Sequence, residues 1–482
     1  MKKSICVNVI VNIINTILKF IFPLITFPYV SRVLGVEPIG KVNYANSIVS
    51  YFLLLAGLGI SSYAIREGTI KRQDRNKFSD FASQMFSINM LSTIFSYLLL
   101  FILLFFEKEL YAYKTLLLLL SSQIVCITLG MDWINTCYEE FVYIAVRTII
   151  IQVISIGLIF VLIKDAEDYY WYAVIIAFSN VGANILNYIH IKKFVVIKFT
   201  ISTAMIKHIK PIIYIFFACL ASAIYTSLDT TMLGAIKGDY AVGIYSAAFK
   251  VYQIFKQGIF ALIIVFEPRL FSLAKTNESE YKKLLKILFS ILLIILIPIS
   301  VGVSNISNDI ILLLAGTEFV EAKNVLNILI FSLIFCTLGY SVMHCILLPF
   351  NLEKYLGIAT SLGAISNALL NFLLIPHYGA KGAAIATLLT EFIVMLFSTL
   401  FIRNRITCFI EIKTVICCLV GNLMIVLVIK FIALFNMLIS IKIIVEIAIS
   451  AFLYFTIFIL SKEVTINIVL STLRNKIKNI WR

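Results

Sequence analysis

The chain has 482 residues, 61% hydrophobic and 13% charged, with a net charge of +15 and a mean hydropathy of +1.02. Soluble domains are about 45–50% apolar, whereas the ~290 apolar residues here would fill roughly fourteen membrane spans of ~20 residues each. This excludes a sizeable soluble catalytic or nucleic-acid-binding domain, and it makes the placement of the basic residues more informative than their sum.

Taken in chain order, apolar segments fall at about 8–29, 40–63, 81–106, 113–137, 142–163, 171–192, 211–235, 242–266, 284–304, 322–348, 355–375, 381–402, 412–432 and 437–460. Their lengths suit membrane helices, some of them tilted. Strands of a membrane barrel would be ~10 residues long with alternating polarity, and that pattern is missing. The first segment is expected to be a span rather than a signal peptide despite Lys2 and Lys3, because Asn8, Asn12, Asn15 and Lys19 interrupt its apolar region and thirteen more segments follow. With the N-terminus inside, 27 of the 40 Lys and Arg fall in cytoplasmic loops and 10 in outer ones. That bias predicts cytoplasmic N- and C-termini and reads the basic loops as topology signals rather than a nucleic-acid site. The nine cysteines show no paired metal-ligand spacing and read as small apolar fillers with free thiols.

The remaining cations, Lys19, Lys250 and Lys256, lie within spans. The spacing of Asn8, Asn12, Asn15 and Lys19 puts them on one face of a helix. Further stripes are Asn43, Ser47 and Ser50; Ser222, Tyr225, Thr226 and Asp229; Ser246, Lys250, Gln253 and Gln257; and Thr337, Tyr340, Ser341 and His344. A neutral stripe has a plain reading as helix–helix hydrogen bonding. Charged groups such as Asp229, Lys250, Lys256 and Glu391 are costly in hydrocarbon and usually face a partner or a hydrated cavity. Together the stripes suggest a hydrated lumen with positive bias. His344 reads as a hydrogen-bonded packing residue rather than a proton relay. Glu139, Tyr143 and Arg147, spaced by four, would share a helix face, either as a surface ion pair or as a receiving site for an anion at the cytoplasmic mouth.

Residues 33–52 (VLGVEPIGKVNYANSIVSYF) resemble 232–255 (MLGAIKGDYAVGIYSAAFKVYQIF): each has Leu-Gly, a short loop, and then a glycine (Gly40, Gly243) leading into a small-residue helix. The copies open the second and eighth spans and predict two six-helix lobes with the lumen between them. GVEPIGKV (35–42) nearly matches a phosphate loop, but Val42 replaces the required hydroxyl and no strand precedes it.

Four stretches then carry a family resemblance: 27–67 (FPYVSRVLGVEPIGKVNYANSIVSYFLLLAGLGISSYAIRE), 132–149 (DWINTCYEEFVYIAVRTI), 228–250 (LDTTMLGAIKGDYAVGIYSAAFK) and 371–391 (NFLLIPHYGAKGAAIATLLTE). The sequence resembles bacterial polysaccharide repeat-unit flippases, the O-antigen and capsule transporters of the multidrug/oligosaccharidyl-lipid/polysaccharide exporter superfamily. The resemblance implies an all-α polytopic protein of about fourteen helices. Its expected parts are lobes at 1–193 and 211–402, a cytoplasmic linker at 194–210, and two last helices with a tail at 403–482. It implies an undecaprenyl-diphosphate-linked oligosaccharide as substrate, moved to the outer leaflet of the cytoplasmic membrane, with a polymerase and a chain-length regulator as pathway partners. Arg32, Arg66, Glu67, Trp133, Glu139, Arg147, Asp229 and Lys250 take the family's characteristic positions, while Asp132 stands where a neutral amide or Glu is expected.

The residues and the resemblance together give the expected sites. Asn12, Asn15, Lys19, Arg32, Asp229, Lys250 and Lys256 are expected to line the lumen, with Arg66, Glu139 and Arg147 at the cytoplasmic mouth. Asp229 and Lys250 are at depths that allow pairing. Lys256 has only Glu391 near its level and is expected to present positive charge to the lumen. No cofactor or metal is expected, and drive is left to a proton or sodium gradient or to product removal. Alternatives are a multidrug exporter of the same superfamily, which the excess of intramembrane cations disfavours, and a membrane-embedded polysaccharide polymerase.

Overall fold

The computed structural model describes residues 22–402, 411–461 and 463. The stripe of Asn8, Asn12, Asn15 and Lys19 therefore lies outside the described residues. Among the described residues the regular elements are all helical, and thirteen helical stretches are long and apolar enough to cross a membrane. These match thirteen of the fourteen expected segments, and the chain is a polytopic all-α membrane protein. It divides into two compact units after Gly243.

The first unit holds α1 (Phe22–Leu34), α2 (Val36–Gly57), α3 (Ile60–Lys71), α4 (Arg75–Phe106), α5 (Lys114–Gly130), α6 (Asp132–Cys137), α7 (Phe141–Leu162), α8 (Tyr169–Ile191) and α9 (Ile206–Lys237). α2 is its hub, packed against α4, α5 and α9, while α8 packs on α5 and α7. α10 (Asp239–Thr276) begins in this unit and continues into the second. The second unit adds α11 (Glu278–Asn305), α12 (Ser307–Leu314), α13 (Ala322–Val342), α14 (Glu353–Tyr378), α15 (Ala380–Leu400), α16 (Ile412–Ile432) and α17 (Ile439–Leu460). There α13 and α14 pack on α15, and α16 packs on α11 and α17, so the last two helices belong to this body.

Hydropathy fixed the spans because it averages over ~20 residues, but it passed over two breaks. Leu58 (φ 46°) and Gly59 (φ 69°) separate α2 from α3, and Met131 (φ 42°) separates α5 from α6. Both breaks use left-handed backbone, which interrupts the helical ladder and leaves polar groups to be satisfied by neighbours.

The expected repeat is visible in the backbone, with a shifted register. Gly35 (φ 78°, ψ −176°) precedes α2, and Gly238 (φ 79°, ψ −174°) precedes α10. Each sits five residues before the close-packed Gly40 or Gly243. Gly238, not the Gly234 of the second Leu-Gly, is thus the counterpart of Gly35. A methyl on Gly40 would overlap the Asp239 carbonyl, and one on Gly243 the Val36 carbonyl. The two helix starts therefore cross backbone to backbone, an approach open only to glycine.

Candidate functional site

The α5–α6 break organises a polar centre inside the first unit. Met131 turns the chain so that α6 carries Asp132, Trp133 and Asn135 on one short helix. Trp133 is buried edge-on against Phe78 and Phe81, each ring 5.9 Å away, which anchors α6 to α4. Asn187 of α8 donates to the freed carbonyl of Gly130 and, at 2.8 Å, to the Asp132 carboxylate. Asn135 in turn donates to the Asn187 side-chain oxygen. An amide carrying both donor and acceptor thus closes the ladder that the break opened.

Arg147 of α7 completes the centre. It pairs with Asp132, donates to the Ala183 carbonyl at 2.9 Å, and lies under the Tyr143 ring, 5.6 Å from its centroid. Tyr143 stacks on His190 with ring centroids 3.6 Å apart. The guanidinium is buried (4% exposed) while the Asp132 side chain stays half open (48%). Asp132 borders a cavity of about 90 Å³ between the two helix breaks, shared with Ser61, Asn89, Trp133 and Asn184. Arg147 Nε and Asn89 Oδ1 are buried without a hydrogen-bond partner among the described residues. The centre can offer the Asp132 carboxylate, the Ser61 hydroxyl and the carboxamides of Asn89 and Asn184 to a polar group while holding one charge-balanced ion pair.

The common face expected for Glu139, Tyr143 and Arg147 is not formed, because α7 starts only at Phe141 and Glu139 sits before it at φ 58°. Glu139 pairs instead with Arg72 at 3.0 Å, and Arg72 also donates to the Cys137 carbonyl. Arg66 lies at the surface, 3.5 Å from Glu67 and over the Tyr63 ring. Tyr63 and Gln84 hold the two ring nitrogens of buried His208 at 2.6 and 3.0 Å. In the expected linker, residues 195–202 run extended along α4. The N–H groups of Val196, Lys198 and Thr200 donate to the Ser79, Ser83 and Ser87 hydroxyls at 3.2, 3.1 and 2.9 Å. Two extended residues and four helical ones both advance about 6–7 Å, so every second residue meets every fourth serine.

Among the remaining expected lumen residues, Arg32 is exposed on α1 and donates to the Pro28 carbonyl. Asp229 is buried on α9. Two residues further along α9, Thr231 bonds the hydroxyls of Ser47 and Tyr51 at 3.0 and 3.3 Å. Lys250 lies on α10 in the second unit. Lys256, also on α10, reaches the nearly buried Glu391 of α15 at 3.7 Å and is flanked by Tyr252 and Phe260. The lone positive charge expected of Lys256 is therefore half of an ion pair. His344 stacks on Tyr340 at 3.9 Å, and its Nδ1 is 3.5 Å from Glu267. Sequence reasoning missed Asn89, Asn135, Asn184 and Asn187. The clue was the density of amides in otherwise apolar helices, which hydropathy scores only as a slight dip.

The comparisons with known proteins agree with this architecture. Residues 5–274 match the family described as polysaccharide biosynthesis protein. A putative O-antigen transporter of Shigella dysenteriae is 25% identical over 406 residues, covering 82% of this chain and 98% of that protein. The capsular polysaccharide biosynthesis protein CapF of Staphylococcus aureus is 22% identical, covering 80% and 95%. Among solved structures, the lipid II flippase MurJ in an inward closed conformation superposes with a TM-score of 0.74 at 19% identity, covering 93% of this chain and 98% of that one. An inward-facing MATE multidrug transporter gives 0.61 at 14% identity, covering 80% and 94%. These structural likenesses concern the fold.

Proposed function

The chain belongs to the polysaccharide biosynthesis protein family, and on that premise we propose that it is a flippase for a lipid-linked oligosaccharide, a transporter rather than an enzyme. The substrate is an undecaprenyl-diphosphate-linked repeat unit, carried from the inner to the outer leaflet of the bacterial cytoplasmic membrane for O-antigen or capsule assembly. Both termini face the cytoplasm. The names borne by the sequence relatives and by MurJ support this reading.

The observation that carries it is the polar centre gathered at two helix breaks inside the membrane-spanning first unit. A sugar–diphosphate head cannot shed water into hydrocarbon except at a prohibitive cost. Carboxamides at Asn89 and Asn184, which border the cavity, match hydroxyl groups as donor and acceptor at once, while the prenyl tail stays in lipid. Alternating access between the two lobes carries the head across, with Lys19 and Lys250 supplying positive charge for the diphosphate. Drive comes from an ion gradient or from consumption of the product.

The test is complementation in a strain lacking its own repeat-unit transporter, scored as surface glycan per unit of membrane-inserted protein. Restored export supports the reading. Correctly inserted protein without export, or resistance to cationic drugs in its place, overturns it.

A further inference from the structure

A second feature lies in the second unit, apart from the polar centre. An apolar cavity of about 280 Å³ is formed between α11, α16 and α17, with Ile294, Pro298, Ile425 and Phe455 among its walls. Two polar side chains of α17 border it one turn apart, Glu446 and Ser450. Glu446 is 2% exposed and Ser450 7%. Both carboxylate oxygens of Glu446 and the Ser450 hydroxyl lack a hydrogen-bond partner among the described residues. The nearest cation on the same helix, Lys442, is taken up by Asp309 at 2.7 Å.

This arrangement is not needed to hold the helices together. α16 and α17 pack through an apolar cluster, Thr414 and Cys417 of α16 bond Glu463 and Ser461 just beyond α17, and Tyr454 secures α17 to α11 by donating to the Ile294 carbonyl at 3.0 Å. An ionised carboxylate among apolar walls is strongly disfavoured unless a counter-charge meets it. The apolar walls open outward, with Ile447 and Phe455 about half exposed, so a hydrocarbon chain can lie along them and gain dispersion contacts. One chemical class answers both deficits together: a cation at the end of a hydrocarbon chain.

We propose that this cavity binds a lipophilic monocation of the alkylammonium type, its charged head between Glu446 and Ser450 and its chain along α11 and α16. The ammonium supplies donors to the two carboxylate oxygens and the hydroxyl, and the chain fills the apolar volume. This site is distinct from the polar centre of the first unit and stands whether or not the transported species is a lipid-linked oligosaccharide.

The probe is decylammonium carrying a diazirine at its chain end, photolysed with the full-length protein in the uncharged detergent dodecyl maltoside. The expected label lies on peptides spanning 294–306, 425–429 or 447–455. Unlabelled decylammonium should compete at least tenfold better than decanol. Glu446→Gln should lose at least tenfold in labelling, while Glu446→Asp retains most of it. Ala451→Phe, which fills the cavity from α17 and leaves the carboxylate in place, should lose labelling similarly and keeps the test open if Glu446→Gln does not fold. Equal competition by decanol, or wild-type labelling of folded Glu446→Gln, would overturn the proposal and leave a groove for acyl chains only. Label falling elsewhere would overturn it as well.

Discussion

The Asp132–Arg147 pair gives an unequal pair of mutants, and the inequality follows from burial. Arg147→Gln removes a buried cation and leaves Asp132, whose side chain is 48% exposed and still accepts from Asn187 at 2.8 Å. Solvent and that amide soften the loss, so about 1–2 kcal/mol is expected, below the roughly 3–5 kcal/mol of a fully buried broken pair. Asp132→Asn keeps an oxygen that can accept from Arg147 but removes the countercharge, so the guanidinium, 4% exposed, is left with neutral acceptors alone, the Ala183 carbonyl at 2.9 Å among them. That stranded charge should cost about 3–4 kcal/mol. The double variant removes both charges and should be milder than Asp132→Asn alone, a coupling of roughly 1.5–3 kcal/mol. The assay is the folded fraction against denaturant in detergent, taken around the full cycle. Arg147→Gln more destabilising than Asp132→Asn, or additivity within about 0.5 kcal/mol, would refute the assignment of Arg147 as a buried, Asp132-neutralised cation.

Gly40→Ala and Gly243→Ala should each lower folded yield, with an overpacking cost of roughly 1–3 kcal/mol or more because the opposing atoms are backbone. Gly258→Ala on α10, where a methyl meets nothing within 4 Å, should be neutral to slightly stabilising by denaturant titration. Glu391→Gln strands Lys256 and should reduce both membrane abundance and export, and the Lys256→Gln/Glu391→Gln double variant should recover abundance; normal abundance of the single variant counts against a structural pair. Cysteines at Gln73 and Glu280 should resist an impermeant thiol reagent in intact cells while one at Glu318 reacts, in a background without the natural cysteines. All three positions are exposed, and Gln73 spares the neighbouring Asp74, which caps α4 by accepting from Asn76 and Lys77. Labelling at Gln73 would reverse the orientation. Replacing Ser79, Ser83 and Ser87 together by Ala should expose residues 195–202 to proteolysis, and an unchanged cleavage pattern would mean the ladder does not hold that segment.

What could be read from the sequence depended on range. Spans were legible because burial in hydrocarbon imposes one requirement on ~20 consecutive residues. The α2 and α10 starts were legible because close crossing leaves only glycine at Gly40 and Gly243, although the equivalence of Gly35 with Gly238 needed backbone angles. Regular spacing misled at Glu139, which shares a period with Arg147 but sits before the helix on left-handed backbone. It fell silent on Lys256 and Glu391, which are neighbours in space but 135 positions apart in the chain. The polar centre was hidden for the same reason: Asp132, Asn135, Arg147 and Asn187 come from three helices, and the break at Met131 that gathers them falls inside a single span-length segment by hydropathy.

The central claim is translocation of a lipid-linked sugar head, and reconstitution tests it most directly. Proteoliposomes containing the purified chain would carry a fluorescent undecaprenyl-diphosphate-linked oligosaccharide in both leaflets, with an impermeant glycosidase added outside. Without protein, cleavage should stop near one half, the outer-leaflet share. With the protein it should proceed towards completion with no lengthening of the glycan, and Asp132→Asn protein that remains folded should slow it. Cleavage that stops at one half in both preparations, or a glycan that grows, would contradict the account.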